Sequence, residues 1–297
     1  MKLSILMTGK AYLPEAYAYS DFLTKREWEV KLCVPGEPDY DCDVLITFQP
    51  ERMPRRGLRC KVIHEYHSLP TGKHPRFRRA VKKLLSRKPD GRIFLNETVR
   101  NHLCFRDNTP FINRDMGVDE LFFEETGAAK EFDIVYCGSI QRRAGLTACI
   151  NALTANGHRL LLIGEPGEAF ERALTHPELV TMIGRVERRA IPAQVRRARY
   201  GLNFTPDIYP LNIQTSTKTL EYFAAGLGVI SNRYEWSQRF ALDQNAPMLW
   251  LDDVLADPDM LGGEAATLNV ANCRWSTLLE QAGFEDFLRS LVQRREY

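Results

Sequence analysis

Short apolar runs alternate with amphipathic stretches along the chain, a pattern typical of a parallel sheet covered by helices. In the first half, the pattern predicts a helix over residues 11–25 and strands over residues 3–7, 30–34, 44–46, 61–63, 92–95 and 111–113. In the second half, it predicts strands over residues 132–136, 159–163, 179–183, 201–204, 229–231 and 248–251. Helices are predicted over residues 146–156, 191–199 and 277–295. The predicted fold class is therefore α/β.

Composition limits the class of protein. The 297 residues, 44% of them hydrophobic and 26% charged with a net charge of +2, suit a globular protein of two domains or of one large domain. No apolar run is long enough for a membrane span, and the first residues are too polar for a signal peptide. The seven cysteines are scattered and form no Cys-x-x-Cys pair, so we expect reduced thiols and a cytoplasmic location.

The stretch from Pro206 to Ser231 carries the strongest chemical signal. A polar loop precedes a helix that we expect to begin near Thr215 or Ser216, and a glycine turn then leads into a strand. The start of a helix attracts phosphate, and Lys218 adds a full positive charge there. Glu221, one turn later, can accept hydrogen bonds from a ribose. The stretch predicts a nucleoside diphosphate site, the alternative being an ordinary amphipathic helix with a solvated lysine and glutamate.

A second anion site is predicted where the strand over residues 132–136 ends. Gly138 and Ser139 form a turn of small residues, and Arg142 and Arg143 follow just before a helix. Arginine binds phosphate oxygens through a bidentate fork, so this turn also favours a phosphate ligand.

A histidine follows the predicted strand over residues 61–63. In a parallel sheet, ligands lie beyond the carboxyl ends of the strands, so His64 can donate to a sugar hydroxyl or a phosphate, or move a proton. The alternative is a histidine satisfied by local backbone groups. The sequence His64-Glu65-Tyr66-His67 lacks the spacing and third ligand of a zinc motif, and we predict no metal site.

The segment from Lys73 to Arg92 is strongly basic and has apolar residues at helical spacing. It predicts an amphipathic helix that contacts an anionic membrane surface. Nucleic acid phosphates are a second possible partner, but only Phe77 is available for stacking on bases. A solvated helix that packs on the sheet is the third alternative.

The turn-rich residues 114–119 suggest a domain boundary. We therefore predict an amino-terminal domain over residues 1–116, a carboxyl-terminal domain over residues 117–275 and a terminal helix over residues 276–297.

Five motifs in a fixed order resemble those of a known family, namely residues 113–119, 135–139, 162–164, 183–186 and 221–230. The chain resembles the GT-B-fold glycosyltransferases that include the family-4 (group 1) enzymes and the bacterial exopolysaccharide and teichuronic-acid transferases. The resemblance implies two Rossmann-like domains facing a central cleft, with a C-terminal helix that can cross back to the first domain. It also implies a metal-independent hexosyltransferase-like enzyme that uses a UDP-, GDP- or TDP-sugar. The implied acceptor is a glycan or a lipid-linked glycan of bacterial envelope polysaccharide biosynthesis, at the cytoplasmic face of the membrane.

The resemblance also assigns roles to individual residues. Glu221 is expected to bind the ribose, and the diphosphate is expected to contact Ser216, Thr217 and Lys218. Arg142 or Arg143 is expected to neutralise the leaving phosphate beside Gly138 and Ser139. The base pocket is expected to include Arg185 and Val186, while His64 contacts the donor sugar or phosphate.

One position departs from the family pattern. Ile213 stands where these enzymes carry a first glutamate, and the nearest polar candidates are Asp207 and Asn212. This departure keeps open a non-catalytic GT-B-like partner subunit. A nucleic-acid-binding protein or a DNA-base glycosyltransferase is the other alternative.

Overall fold

The computed structural model describes residues 1–8, 13–48, 58–69, 88–124, 127, 129–141 and 143–293. Arg142 and most of the predicted basic helix, residues 73–87, lie outside the described residues. The chain divides into two compact units, Met1–Gly117 with Asn272–Tyr297 and Val118–Ala271. Across the described ranges, no helix has the length and apolarity that crossing a membrane requires.

The first unit is built on a sheet of six described parallel strands. These are β1 (Lys2–Leu6), β2 (Glu29–Cys33), β3 (Val44–Phe48), β4 (Lys61–Tyr66), β5 (Gly91–Phe94) and β6 (Phe111–Asn113), in the order β2-β1-β3-β4-β5-β6. Helices α1 (Pro14–Thr24) and α2 (Glu97–Leu103) connect strands of this sheet. All five residues of β3 are buried, as expected for a parallel strand covered on both faces.

The second unit has a sheet of the same kind. Its described strands are β7 (Phe132–Cys137), β8 (Leu160–Ile163), β9 (Val180–Met182), β10 (Ala198–Asn203), β11 (Gly228–Ser231) and β12 (Met248–Trp250). Its described helices are α3 (Leu146–Ala155), α4 (Glu168–Arg172), α5 (Ile191–Val195), α6 (Thr217–Ala224), α7 (Glu235–Asp243) and α8 (Leu251–Ala256). The strand order is β12-β11-β10-β7-β8-β9, which is the Rossmann order, with its switch point between β7 and β10.

One predicted helix of this unit was too long. The sequence predicted a helix over residues 191–199, but α5 ends at Val195 and β10 already begins at Ala198. The residues from Ala198 onward pair with β7 on one side and β11 on the other. Pairing in the centre of a sheet therefore outweighs the helix propensity of this basic segment.

The last part of the chain returns to the first unit. Helices α9 (Trp275–Gln281) and α10 (Phe284–Gln293) bury Trp275, Leu279, Phe284, Phe287, Leu288 and Leu291 in the core of that unit. Each such apolar side chain contributes roughly 1.5–3 kcal/mol when buried. The predicted return of the C-terminal segment is thus confirmed. The single helix predicted over residues 277–295 is wrong, because Gly283 at φ +61° ends α9 before α10 begins.

Candidate functional site

The candidate site lies in the second unit, at the switch point of its sheet. Helix α6 follows β10, and the turn at Gly138 follows β7, so both come from the two strands that flank the switch point. Ligands of open α/β sheets bind at this point, beyond the carboxyl ends of the strands. The two segments that the sequence predicted as anion sites are therefore neighbours.

Helix α6 is fixed to the sheet by Tyr222. The phenol oxygen of Tyr222 accepts a hydrogen bond of 2.9 Å from the backbone N–H of Cys137, the last residue of β7. The Tyr222 ring lies directly on Gly201 of β10, where a Cβ atom would stand only 2.1 Å from the ring. Leu220 and Phe223, at helical spacing, are buried as predicted. These contacts hold the start of the helix at the carboxyl edge of the sheet.

The start of α6 is capped by a hydrogen-bond chain. The Ser216 hydroxyl accepts from the backbone N–H of Thr219 at 3.4 Å and donates to Asn203 Oδ1 at 2.9 Å. The Asn203 amide in turn donates to the hydroxyls of Ser231 and Tyr234, each at 3.0 Å. Thr217, the first residue of the helix, is half-buried. The capped helix presents its partial positive charge at a rigid position.

Lys218 lies along the turn at Gly138. A Cβ atom on Gly138 would stand 2.7 Å from Lys218 Cε and 3.3 Å from Nζ, so only glycine leaves room for this side chain. Gly138 also has φ +144°, which other residues rarely adopt. The Lys218 Nζ is 5.7 Å from the centre of the Tyr136 ring. The absence of a side chain at Gly138 therefore makes room for the Lys218 side chain.

The lysine is electrostatically unbalanced. Burial, and then the nearby positive charge of Arg143, lower the pKa of Lys218 from 10.5 to about 8. Within the described ranges, no carboxylate oxygen lies within 4.0 Å of Lys218 Nζ. Arg143 also lies beside the hydroxyl of Tyr136, whose pKa burial raises to about 12. Arg143 acts on Lys218 more strongly than Glu221 does, and Glu221 is already paired with Arg188, so the two cations favour an anionic ligand.

Glu221 is held by an arginine that the sequence did not single out. Its side chain is 10% exposed, and its Oε1 accepts a hydrogen bond of 2.6 Å from a terminal nitrogen of Arg188. Burial raises the pKa of Glu221, and Arg188 acts in the opposite direction. The Arg188 guanidinium lies 5.0 Å from the centre of the Phe122 ring. The only sequence signal was the cluster of arginines at residues 185–189.

Three other predicted residues lie on the loops around this edge. Ser139 is exposed, and its carbonyl accepts a hydrogen bond of 2.9 Å from the Tyr136 hydroxyl. Arg185 is exposed and Val186 is half-buried, in the segment after β9. Their assigned roles remain predictions, as does that of Arg142 outside the described residues.

Ile213, at the position of the missing family glutamate, is a core residue. It is 8% exposed and ends a 3-10 turn over Leu211–Ile213. The nearby Asn212 amide donates to Asp207 at 2.9 Å, and Asp207 is exposed. The structure therefore places an apolar side chain where the family pattern has a carboxylate.

His64 lies in the first unit, inside a strand. The apolar run over residues 61–63 predicted a strand with His64 at its end, and β4 continues to Tyr66, pairing His64 with Thr47 of β3 and Arg92 of β5. His64 is only 2% exposed. Pairing on both sides extends the strand by three residues beyond the apolar run. The role of His64 in contacting a donor remains a prediction.

A second charged cluster lies at the end of β4. The Arg114 guanidinium donates to Glu65 and, at 2.7 Å, to the Tyr19 hydroxyl, which itself donates to Glu65 at 2.9 Å. Glu15 lies 3.8 Å from Arg114 and also 3.8 Å from His67 Nδ1. Burial raises the pKa of Glu65 to about 7 and lowers that of His67. Sequence reasoning missed this cluster because its members are far apart in the chain.

Among the residues that the structure describes, no three His, Cys, Asp or Glu side chains form a group that could hold a metal ion. None of the seven cysteines forms a disulfide bond.

Comparisons with known proteins identify the fold. No protein-family model matches the chain, and no curated protein matches it in sequence. Among solved structures, AviGT4, a glycosyltransferase involved in avilamycin A biosynthesis, is similar with a TM-score of 0.68 and 16% identity over 99% of this chain and 98% of that chain. Sucrose-phosphate synthase from Thermosynechococcus elongatus has a TM-score of 0.61 and 14% identity over 98% and 95% of the two chains. Anabaena HepE, solved in complex with UDP-glucose, has a TM-score of 0.60 and 11% identity over 99% and 98%.

These neighbours align along nearly the full length of both chains and share the two-sheet architecture described above. The α/β prediction is confirmed, and this chain has the GT-B fold of the glycosyltransferases.

Proposed function

We propose that the protein is a glycosyltransferase that takes a sugar from a nucleoside diphosphate donor. The observation that carries the proposal is the unbalanced Lys218 at the capped start of α6, beside the glycine turn after β7. HepE, which shares the fold, was solved with UDP-glucose, so a UDP-sugar is the first donor to test, before GDP- and TDP-sugars.

The proposed chemistry places the leaving group at α6. In the reaction, the bond between the sugar C1 and the terminal phosphate oxygen breaks, and an acceptor hydroxyl forms the new bond to C1 and gives up its proton. The negative charge that develops on the diphosphate is stabilised by Lys218, by Arg143 and by the N–H groups at the start of the helix near Ser216 and Thr217. Such fixed charges need no reorganisation during the reaction.

The remaining roles complete the proposed donor site. Glu221 accepts hydrogen bonds from the ribose, and Arg185 and Val186 line the base pocket. Gly138 and Ser139 border the diphosphate, and Arg142 adds charge to it. His64, in the first unit, contacts the donor sugar or its phosphate.

We propose a glycan or a lipid-linked glycan of envelope polysaccharide biosynthesis as the acceptor. The basic segment from Lys73 to Arg92 supports this proposal, because its charge suits an anionic membrane surface. Arg92 itself does not contribute, since it is buried in β5 and paired with Asp107. Binding to vesicles with and without anionic lipid, compared with salt-dependent binding to duplex DNA, distinguishes this surface from the nucleic acid alternative.

Nucleotide binding tests the donor site. We expect wild-type protein to bind UDP, GDP or TDP in isothermal titration calorimetry, and Lys218→Met to weaken that binding by about 10- to 100-fold, because a charge-assisted contact contributes roughly 1.5–3 kcal/mol. Arg239→Met, which removes an exposed cation of α7 in the same unit, is the matched control and should bind as wild type does. Equal affinities for all three proteins would contradict the proposed site.

Turnover separates an enzyme from a partner subunit. Wild-type protein incubated with the corresponding nucleotide sugar should release nucleoside diphosphate, with water or an added glycan as acceptor, and Lys218→Met should slow the release. Donor binding without any release, with or without glycan, favours the non-catalytic subunit that Ile213 keeps open.

A further inference from the structure

The ion pair between Arg188 and Glu221 joins two segments of the second unit that are distant in sequence. Arg188 begins the 3-10 turn Arg188–Ala190 after β9, and Glu221 lies in α6. A terminal nitrogen of Arg188 donates a hydrogen bond of 2.6 Å to Glu221 Oε1. The Arg188 guanidinium is itself supported by Phe122, which is 1% exposed and 5.0 Å away. The arginine is therefore held in place from two sides.

The ion pair affects the protonation state of the Glu221 carboxylate. The carboxylate is 10% exposed, and burial favours its neutral, protonated form. A protonated carboxyl group loses acceptor capacity, because one oxygen then carries a hydrogen. A ribose presents two adjacent hydroxyls that both donate best to an ionised carboxylate. The adjacent Arg188 guanidinium favours the ionised form of Glu221, and its hydrogen bond to Oε1 fixes the orientation of the carboxylate.

We infer that Arg188 is a positioning residue for ribose recognition: through Glu221 it gives the site its preference for nucleotides with a 2′,3′-diol. The inference rests on the proposed nucleotide site and deepens it. It assigns to Arg188 no contact with the transferred sugar or the reacting atoms. Arg188 acts on the ribose affinity alone, and the affinity for the diphosphate depends on Lys218 and the start of α6.

If Arg188 instead blocked the ribose site, its removal would have the opposite effect on nucleotide affinity. If Arg188 blocked Glu221 until a nucleotide displaced it, removing the guanidinium would free the carboxylate. Nucleotide affinity would then rise. A positioning role requires that affinity falls, and only for ligands that carry the diol.

Calorimetry with UDP and 2′,3′-dideoxy-UDP tests the inference on the whole chain. Wild type should bind UDP about 10- to 100-fold more tightly than the dideoxy compound, as expected for hydrogen bonds to a charged group. Arg188→Met should reduce this preference to about threefold or less, while the affinity for dideoxy-UDP stays unchanged. Arg189→Met, which removes the exposed neighbouring arginine, is the matched control and should keep the wild-type preference.

Arg188→Lys tests whether a positive charge alone restores the preference for UDP, and it serves as a second variant if Arg188→Met does not fold. Lysine keeps the positive charge without the guanidinium fork, so it should recover part of the preference for UDP. It also tests the inference if Arg188→Met does not fold, because a preference that is reduced from wild type but still present, with unchanged dideoxy-UDP binding, gives the same support. Circular dichroism of each variant establishes its folding.

Failure of the inference about Arg188 can be distinguished from failure of the proposed nucleotide site. If the Arg188 variants weaken UDP and dideoxy-UDP equally, or if they bind UDP more tightly than wild type, the inference is overturned and the nucleotide site stands. If wild type binds none of UDP, GDP and TDP, the proposed function and the inference both fail. If wild type binds GDP instead of UDP, the same series is run with GDP and its 2′,3′-dideoxy form. If it binds only TDP, whose deoxyribose has no 2′-hydroxyl, the inference is overturned.

Discussion

Each unit of the protein buries an arginine–glutamate pair, and the two pairs differ in what surrounds them. In the first unit the side chains of Arg114 and Glu65 are both 0% exposed. The guanidinium also donates to the Tyr19 hydroxyl and, at 2.8 Å, to the carbonyl of Asp115, and it lies 5.1 Å from the centre of the Trp275 ring. Protein groups thus occupy several of its donors.

The pair in the second unit is more exposed to solvent, and it lies near an additional positive charge. Arg188 is 22% exposed and Glu221 is 10% exposed. One turn before Glu221, Lys218 carries a positive charge with no carboxylate within ion-pair distance in the described part of the chain. The comparison teaches that burial of charge does not by itself mark a ligand site. Arg114 has its donors occupied by protein groups and is a part of the fold, whereas Lys218 has no carboxylate within ion-pair distance among the described residues and is suited to bind an anion.

The largest effect that this comparison predicts is on stability. Arg114→Met should lower the free energy of unfolding by about 3–5 kcal/mol, because it leaves Glu65 and Glu15 buried without their cation. Arg188→Met should cost roughly 1 kcal/mol, as expected for a partly exposed pair. Urea unfolding followed by tryptophan fluorescence measures both. Equal losses for the two variants would contradict the distinction between the clusters.

The next effect concerns the shape of the phosphate turn. Gly138→Ala should weaken binding of UDP by about tenfold or more, because the added Cβ would stand 2.7 Å from Lys218 Cε and displace the lysine. Gly157→Ala is the matched control, since Gly157 also has a positive φ, +83°, but nothing lies within 4 Å of the added atom. Both variants should lose stability through backbone strain. Only the first should lose affinity, and calorimetry that finds equal affinities would argue against Lys218 as the phosphate contact.

The smallest effect is a pH dependence of binding. The pKa of Lys218 in the free protein is about 8, and a bound diphosphate should raise it. Below that pKa the lysine is already charged and affinity should be constant; above it, binding must take up a proton, and affinity should fall. We expect UDP to bind about tenfold more weakly at pH ~9 than at pH ~7, with no such change in Lys218→Met. Calorimetry in buffers of different ionisation enthalpy measures the proton uptake, and a flat wild-type profile would contradict this role.

The sequence predicted the parts of the site that depend on neighbouring residues. The capping hydroxyl of Ser216, the charge of Lys218 and the apolar spacing of Leu220 and Phe223 are all local features, and the structure has them in α6. The glycine turn after β7 was recognisable for the same reason. Local rules of capping and periodicity were therefore enough to find the segment.

The contacts that sequence reasoning missed are long-range. Arg188 and Glu221 are 33 residues apart, and Arg114 and Glu65 are 49 residues apart. Nothing in either local pattern indicates which arginine meets which glutamate, because the strand order decides it. The extension of β4 past His64 has the same origin, since pairing with β3 and β5 holds these polar residues in the strand.

A crystal structure of the protein with UDP tests the central claim most directly. In that structure, phosphate oxygens should lie within hydrogen-bond distance of Lys218 Nζ and the backbone N–H of Thr217, with the ribose hydroxyls on Glu221. A nucleotide bound away from the start of α6, with Lys218 still lying along Gly138 and making no contact to it, would contradict the account.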